Sequence, residues 1–276
     1  MTQHAPGAPS GASVERWPAG PLRFVEDTAT IADMEVRKLR HDMLEVITRS
    51  VQPVLWLLVF GKVMSNTRAI PTGGLPYQDF LAPGILAQSS LFVSIFYGIA
   101  VIWERDLGVL HKFLVSPASR EALVSGKALS AGVRALAQAL IVYVLAAALR
   151  VQLRWGVMPL LGMVIAVVLG AAVFATFSLI VACLVKTRER FMGIGQVLTM
   201  PLFFASNAIY PIAVMPTPLQ WIARFNPLTY QVDILRTLML RGGSSTFGLP
   251  LDFAVLIGSL IVLVAIAARV YPRVVL

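Results

Sequence analysis

Apolar residues in this chain gather into runs close to twenty residues long, separated by short stretches rich in charge, proline and glycine. A helix rises about 1.5 Å per residue, so about twenty apolar residues cross the ~30 Å hydrocarbon core of a bilayer. Six such runs are legible, at about 46–64, 79–102, 128–149, 157–185, 191–212 and 251–270. The fourth exceeds the length of a straight crossing and predicts a tilt or a kink. In the first, Pro53 predicts a kink, and Arg49 lies near enough to one end to snorkel out. The pattern predicts an all-α polytopic membrane protein with six transmembrane helices.

Between the runs, three stretches have patterns of their own. Residues 25–45 mix both charge signs with Ile31, Met34, Val36, Leu39, Met43 and Leu44, which suits an N-terminal helix lying in the membrane interface. Glu104–Lys127 is a charged island with Leu107, Leu110, Phe113 and Leu114 on one helical stripe and Pro117 as a stop. It is too short to cross, so it lies on the membrane surface or forms a solvated loop with a helical turn. The segment Ala213–Pro250 is apolar enough to suggest a further crossing, but it holds Pro216, Pro218, Arg224, Pro227, Asp233 and Arg236. An Arg or Asp at a helix centre costs about 2.5–3.5 kcal/mol on insertion. Split at Asn226-Pro227, neither half is long enough to span. Residues 213–240 are therefore expected to form two short re-entrant helices on the outer side, packed on protein. Asp233 and Arg236 are three apart and can pair.

Composition agrees with a membrane protein: 57% of residues are hydrophobic and 13% charged, against about a quarter charged in soluble domains. Residues 1–24, rich in Pro, Gly, Ala and Ser, read as a disordered tail. The net charge of +9 reflects Lys and Arg in loops rather than nucleic-acid binding. With six crossings and cytosolic termini, sixteen Lys and Arg fall on the cytosolic side against seven outside. The charged island is then cytosolic and the re-entrant segment external.

Candidate chemistry is sparse. Gly126-Lys127 is followed by Ala128 and lacks an upstream glycine, so the chain has no phosphate-cradling loop. Three His and the single Cys183 show no metal-ligand spacing. Asp79, at the start of the second run, reads as a helix N-cap. No buried carboxylate pair appears, which argues against a proton-coupled carrier. No residue is a candidate catalyst, and any work of transport must draw its energy from another chain. Gln88, Ser89 and Ser94 in the second run, with Gln196, Thr199 and Asn207 in the fifth, either line a substrate pathway at a dimer seam or serve as hydrogen-bonding glue between helices. Gly193 and Gly195 would let helices approach closely. Tyr210, Trp221 and Tyr230 fit an aromatic belt at the outer interface.

The island, with Glu104-Arg105, Gly108, Leu110, Leu114, Ser116-Pro117, Arg120 and Gly126-Lys127, resembles the cytosolic signature of ABC type 2 exporter permeases. Phe80–Gly84 (FLAPG) resembles the start of that family's second span. Asn226-Pro227-Leu228-Thr229-Tyr230, followed by Asp233 and Arg236, resembles its outer re-entrant motif. The likeness covers about residues 25–271 and is nearest in flavour to daunorubicin-resistance permeases. It implies that residues 25–276 form one transmembrane domain, a half-transporter that pairs with a second permease chain, identical or paralogous. Each chain would dock on a separate ABC ATPase subunit, which binds the ATP and Mg. Residues 104–117 would be the coupling helix, with Glu104, Arg105, Gly108, Leu110, Leu114 and Pro117 taking the stroke. His111-Lys112 departs from the family's usual polar or acidic residues and leaves the identity of the ATPase open. The cargo expected is hydrophobic or amphipathic (a drug, lipid or glycolipid), exported across a prokaryotic inner membrane. A polysaccharide-exporting permease, a non-transporting scaffold and a secondary carrier remain as alternatives.

Overall fold

The computed structural model describes residues 43–67, 70–107, 120–185 and 187–270. Among these, every regular element is helical, and the one strand-like pairing is an isolated bridge between Leu153 and Leu240. The helices are α1 (Met43–Leu55), α2 (Gly61–Thr67), α3 (Tyr77–Asp106), α4 (Arg120–Ala148), α5 (Val157–Leu184), α6 (Arg188–Phe204), α7 (Thr217–Phe225), α8 (Pro227–Met239) and α9 (Leu249–Val270). A π-helical turn, Trp56–Phe60, joins α1 to α2 without a break, and a 3-10 turn, Ile212–Val214, precedes α7. Among the described residues, four helical stretches are long and apolar enough to cross a membrane: Tyr77–Ala100, Ser125–Ala148, Val157–Leu184 and Leu249–Val270.

α3 and α5 form the heart of the bundle. α5 packs against α3, α4, α8 and α9, and 89% of the α3 stretch is buried within this single chain. In lipid, apolar side chains gain little by leaving one greasy surface for another, so close backbone approach and hydrogen bonds decide which helices meet. The contacts follow that rule. The Gly132 backbone lies against Val168, Gly162 against Leu238, and Gly170 directly beneath the Gln231 side chain. Gly98 makes room for Ser178 and Phe191, and the Ser178 hydroxyl donates to the Ile95 carbonyl. At Gly84 a Cβ would collide with the Ala208 carbonyl, so FLAPG ends in glycine where α3 meets the turn after α6.

Pro53 has no N–H to give the carbonyl four residues back, and the widened π turn follows within one helical turn. One carbonyl of that turn, Leu57 O, accepts from Gln78 Nε2 of α3 at 3.4 Å. α4 ends in a double-bonded cap, with Val151 N donating to Ala146 O (3.1 Å) and Arg150 N to Ala147 O (3.0 Å). Arg150 takes φ 60 there, a left-handed position usually held by glycine.

Several boundaries differ from the hydropathy pattern. α4 starts at Arg120, eight residues before the apolar run, because Arg120, Glu121 and Lys127 lower hydropathy without lowering helix propensity. α3 extends to Asp106, so Glu104 and Arg105 belong to its last turn. α6 stops at Phe204 rather than 212. Its last carbonyls find partners other than the next helical turn. Asn226 Nδ2 donates to Leu202 O (2.7 Å) and Ala205 O (3.2 Å), Ser206 Oγ to Phe203 O (2.7 Å), and Tyr210 OH to Phe204 O. Asp79 is not an N-cap: it lies inside the first turn of α3, buried, and its Oδ2 accepts from Gln152 N at 3.2 Å. The tail 1–24 and all but the last three residues of the expected interfacial helix 25–45 lie outside the described residues.

Candidate functional site

Three polar places interrupt the apolar bundle. One is at the end of α3 from which the charged island departs, one at mid-length of α3, and one around α8.

At the island end, α3 finishes with Trp103, Glu104, Arg105 and Asp106. The start of α6 is tied to it. Arg188 Nη2 lies 2.9 Å from Asp106 Oδ2, and the same guanidinium sits 3.5 Å above the Trp103 ring. Thr187 Oγ1 caps α6 by accepting from Arg190 N at 3.4 Å. Both members of the ion pair are partly exposed, 32% for Arg188 and 40% for Asp106, so the pair is solvated and weak, and the planar stack holds its geometry. The sequence pattern did not single out Trp103 or Arg188. An aromatic closing an apolar run and a basic residue opening the next were the available signals. Gly108, Leu110, Leu114 and Pro117 lie outside the described residues.

The six polar residues grouped as a pathway or seam are separated. Gln88, Ser89 and Ser94 are buried on α3. Ser89 Oγ donates to Ile85 O (2.8 Å) and Ser94 Oγ to Ser90 O (2.7 Å), each one turn back on its own helix. Thr199 does the same to Gly195 O on α6. Gln196 is exposed on α6, three residues from Gly193, where an added Cβ would meet no described atom within 4 Å. Asn207 belongs to the α8 network. Gln88 Nε2 is buried without a partner.

Around α8 the polar groups converge. Asn226 Oδ1 accepts from Leu228 N at 3.0 Å and so caps α8, with Pro227 in the first helical position. The same side chain binds the end of α6, so one amide joins two helices. One turn on, Tyr230 OH donates to Arg224 O, pinning α7 to α8. Asp233 is fully buried and Arg236 5% exposed, with Asp233 Oδ1 3.3 Å from Arg236 Nη1. Asp233 Oδ1 also accepts from Asn207 Nδ2, and its Oδ2 accepts from Thr246 N at 2.8 Å. Arg236 Nη2 donates to Asn207 O at 2.7 Å, and its guanidinium stands 4.0 Å over the Phe80 ring. Buried charge of this kind is tolerated because each ion has both a counter-ion and neutral partners. Pairing of Asp233 with Arg236 follows from their spacing. Phe80, Asn207 and Thr246 come from three other parts of the chain and carry no local signal. Among the described residues, no cluster of His, Cys, Asp or Glu could hold a metal.

Known proteins share this arrangement of sequence. The profile described as ABC-2 type transporter matches residues 27–240. A protein of Cyanophora paradoxa named as an inferred transport permease is 28% identical over 254 residues, covering 87% of this chain and 85% of the relative. Nodulation protein J of Rhizobium leguminosarum bv. trifolii is 25% identical over 84% of this chain and 86% of its own. A daunorubicin resistance ABC transporter permease protein of Streptomyces coeruleorubidus is 23% identical over 91% of this chain and 88% of its own. With most of its length matched by that profile, and with helices apolar enough to sit in a bilayer, the chain belongs to the ABC-2 type transporter family as an integral membrane permease.

Proposed function

We propose that this chain is the membrane-spanning half of an ATP-driven exporter that moves hydrophobic or amphipathic molecules out across a prokaryotic inner membrane. The observation that carries the reading is the clamp at the island end. Asp106 and Trp103 hold Arg188 at the point where α3 hands over to the island, so force entering there reaches α3 and α6 together. The stroke comes from a separate ABC ATPase subunit that binds ATP and Mg and docks on residues 104–117 through Glu104, Arg105, Gly108, Leu110, Leu114 and Pro117. A ligand that binds two states with different affinity shifts the balance between them, and ATP acts in this way through the partner.

Six crossings complete the topology. The continuous stretch through α1, the π turn and α2 supplies the first, and α6 with the turn that follows supplies the fifth. Both termini and the island are cytosolic, and α7 with α8 forms the outer re-entrant pair. A second permease chain, identical or paralogous, pairs with this one. The face of α6 on which Gln196 and Gly193 are exposed among the described residues supports a seam there. The name of the Streptomyces relative supports a drug-like cargo.

The test is reconstitution. The chain is co-purified with its candidate ATPase in nanodiscs, and ATP hydrolysis is measured across a panel of amphipathic drugs and lipids. Stimulation by a subset, with transport lost on ATP depletion, is the expected result. A chain that purifies alone, or transport that follows the proton gradient and survives ATP depletion, would replace this reading with a scaffold or a secondary carrier.

A further inference from the structure

Between α1, α3 and α4 lies a cavity of about 130 Å³. Gln88, Ser89 and Phe92 of α3 form one wall, Thr48 and Gln52 of α1 another, and Gln138 of α4 lines a third side. Gln88 and Gln138 are each 3% exposed. Gln88 lies eleven residues from the start of α3, and Gln138 ten from the end of α4. At about 1.5 Å per residue each is therefore about 15 Å inside the bundle, near the middle of a ~30 Å hydrocarbon core. Three glutamines converging at that depth are costly unless something uses them.

We propose that this cavity binds a neutral, hydroxylated six-membered ring carried by a membrane-soluble amphiphile. Four observations converge on that chemistry. The volume matches a single ring, since an engineered apolar cavity of about 150 Å³ in another protein takes up benzene. No charged side chain among the described residues lines it, so a charged group would enter without a counter-ion from them and at high cost. The Gln88 Nε2 donor is buried with no partner, although Gln138 Nε2 is satisfied by Ser50 Oγ at 3.3 Å. An unmet buried donor is destabilising, and an oxygen on the ring would relieve it. Phe92 offers an aromatic surface against which a ring can pack.

The α1 wall is also the one best able to yield. Pro53 breaks its hydrogen-bond ladder, and the π turn at Trp56–Phe60 follows directly. Local irregularity of this kind lets a helix shift without losing a regular ladder. The site lies within one protomer, so it needs no second permease chain. It rests on the exporter reading only in making the bound ring part of the cargo.

The binding test needs no ATPase, so its failure and that of the exporter reading are separate. The chain carrying Ser89→Cys and Cys183→Ala is placed in phosphatidylcholine nanodiscs. The rate at which N-ethylmaleimide modifies the new thiol is followed with 4-octylphenol, octylbenzene or 4-octylbenzoate at matched membrane concentrations. The expected result is that octylphenol slows modification in a saturable way and the other two do not. Adding Gln88→Leu should raise the apparent Kd for octylphenol about tenfold, the value of one hydrogen bond of ~1.4 kcal/mol. Gln52→Leu, at a half-exposed position, gives a second reading if Gln88→Leu lowers the folded yield. Equal protection by all three probes means general partitioning into lipid and overturns the proposal. So does a thiol that reacts at the same rate with every probe, which describes a cavity holding water only. Octylphenol protection unchanged in both leucine variants also overturns it.

Discussion

Around α8, Asp233 and Arg236 are sealed from solvent and held by three further residues, Phe80, Asn207 and Thr246. At the island end, Asp106 and Arg188 meet in partial exposure, as an ion pair with the guanidinium stacked on the Trp103 ring. The same charge chemistry therefore serves two ends with different mechanical character. A buried, multiply bonded pair has one arrangement and is costly to disturb. A solvated pair can part and re-form for a fraction of a kcal/mol to about 1 kcal/mol. The α8 end has the character of a fixed point and the island end that of a joint, the division of labour that the proposed drive from the island side requires.

Removing one ion from the sealed pair should give the largest effect. Asp233→Ala leaves Arg236 buried without a counter-ion, and thermal unfolding in nanodiscs should report a loss of about 3–5 kcal/mol. The double change Asp233→Leu with Arg236→Met should recover much of that loss. If the single variant melts like the parent, the α8 end is no fixed point.

Next comes Gly84→Ala, which drives a methyl group into the Ala208 backbone and should cost about 1–3 kcal/mol in the same assay. Asn226→Ala removes the α8 cap and two bonds to the end of α6, for about 1–2 kcal/mol. Hydrogen exchange should place the lost protection in α6 and α8 together, and a loss confined to α8 would separate the two helices.

Smallest in stability is Arg188→Ala, at about 0–1 kcal/mol. Its signature is functional: drug-stimulated ATP hydrolysis continues while transport per ATP falls. Arg188→Lys keeps the charge but not the planar stack on Trp103, so it should fall between the two. Undiminished transport in Arg188→Ala would remove the joint from the island end.

The legibility of these features in the sequence follows the range of their interactions. Four of the six apolar runs form helices of crossing length and apolarity, because hydropathy over twenty residues is a local sum. The break at Asn226-Pro227 was legible for the same reason, as was the pairing of residues three apart on α8. The start of α4 was hidden because hydropathy counts charge where the backbone counts propensity. The end of α6 was hidden because Asn226, more than twenty residues away, satisfies its carbonyls. Asp79 was misread as a cap since its partner, Gln152, is 73 positions distant. The glutamines show the same limit. Each is an ordinary polar residue in an apolar run, and only packing brings Gln52, Gln88 and Gln138 onto one cavity.

One contact gives α3 a second property. Gly84 bears on the Ala208 backbone, and Asp79, five residues earlier, grips Gln152. These two points form a fulcrum near one extremity of a rod 30 residues long. From Gly84 to Asp106 the rest of the helix, packed along α5, measures about 33 Å at ~1.5 Å per residue. A swing of about 5° about that fulcrum carries the tip through about 3 Å, and Arg188 makes the first turn of α6 travel with it. A sub-ångström adjustment beside Gly84 would thus accompany a displacement of a few ångströms at Asp106 if α3 turned as a rigid rod.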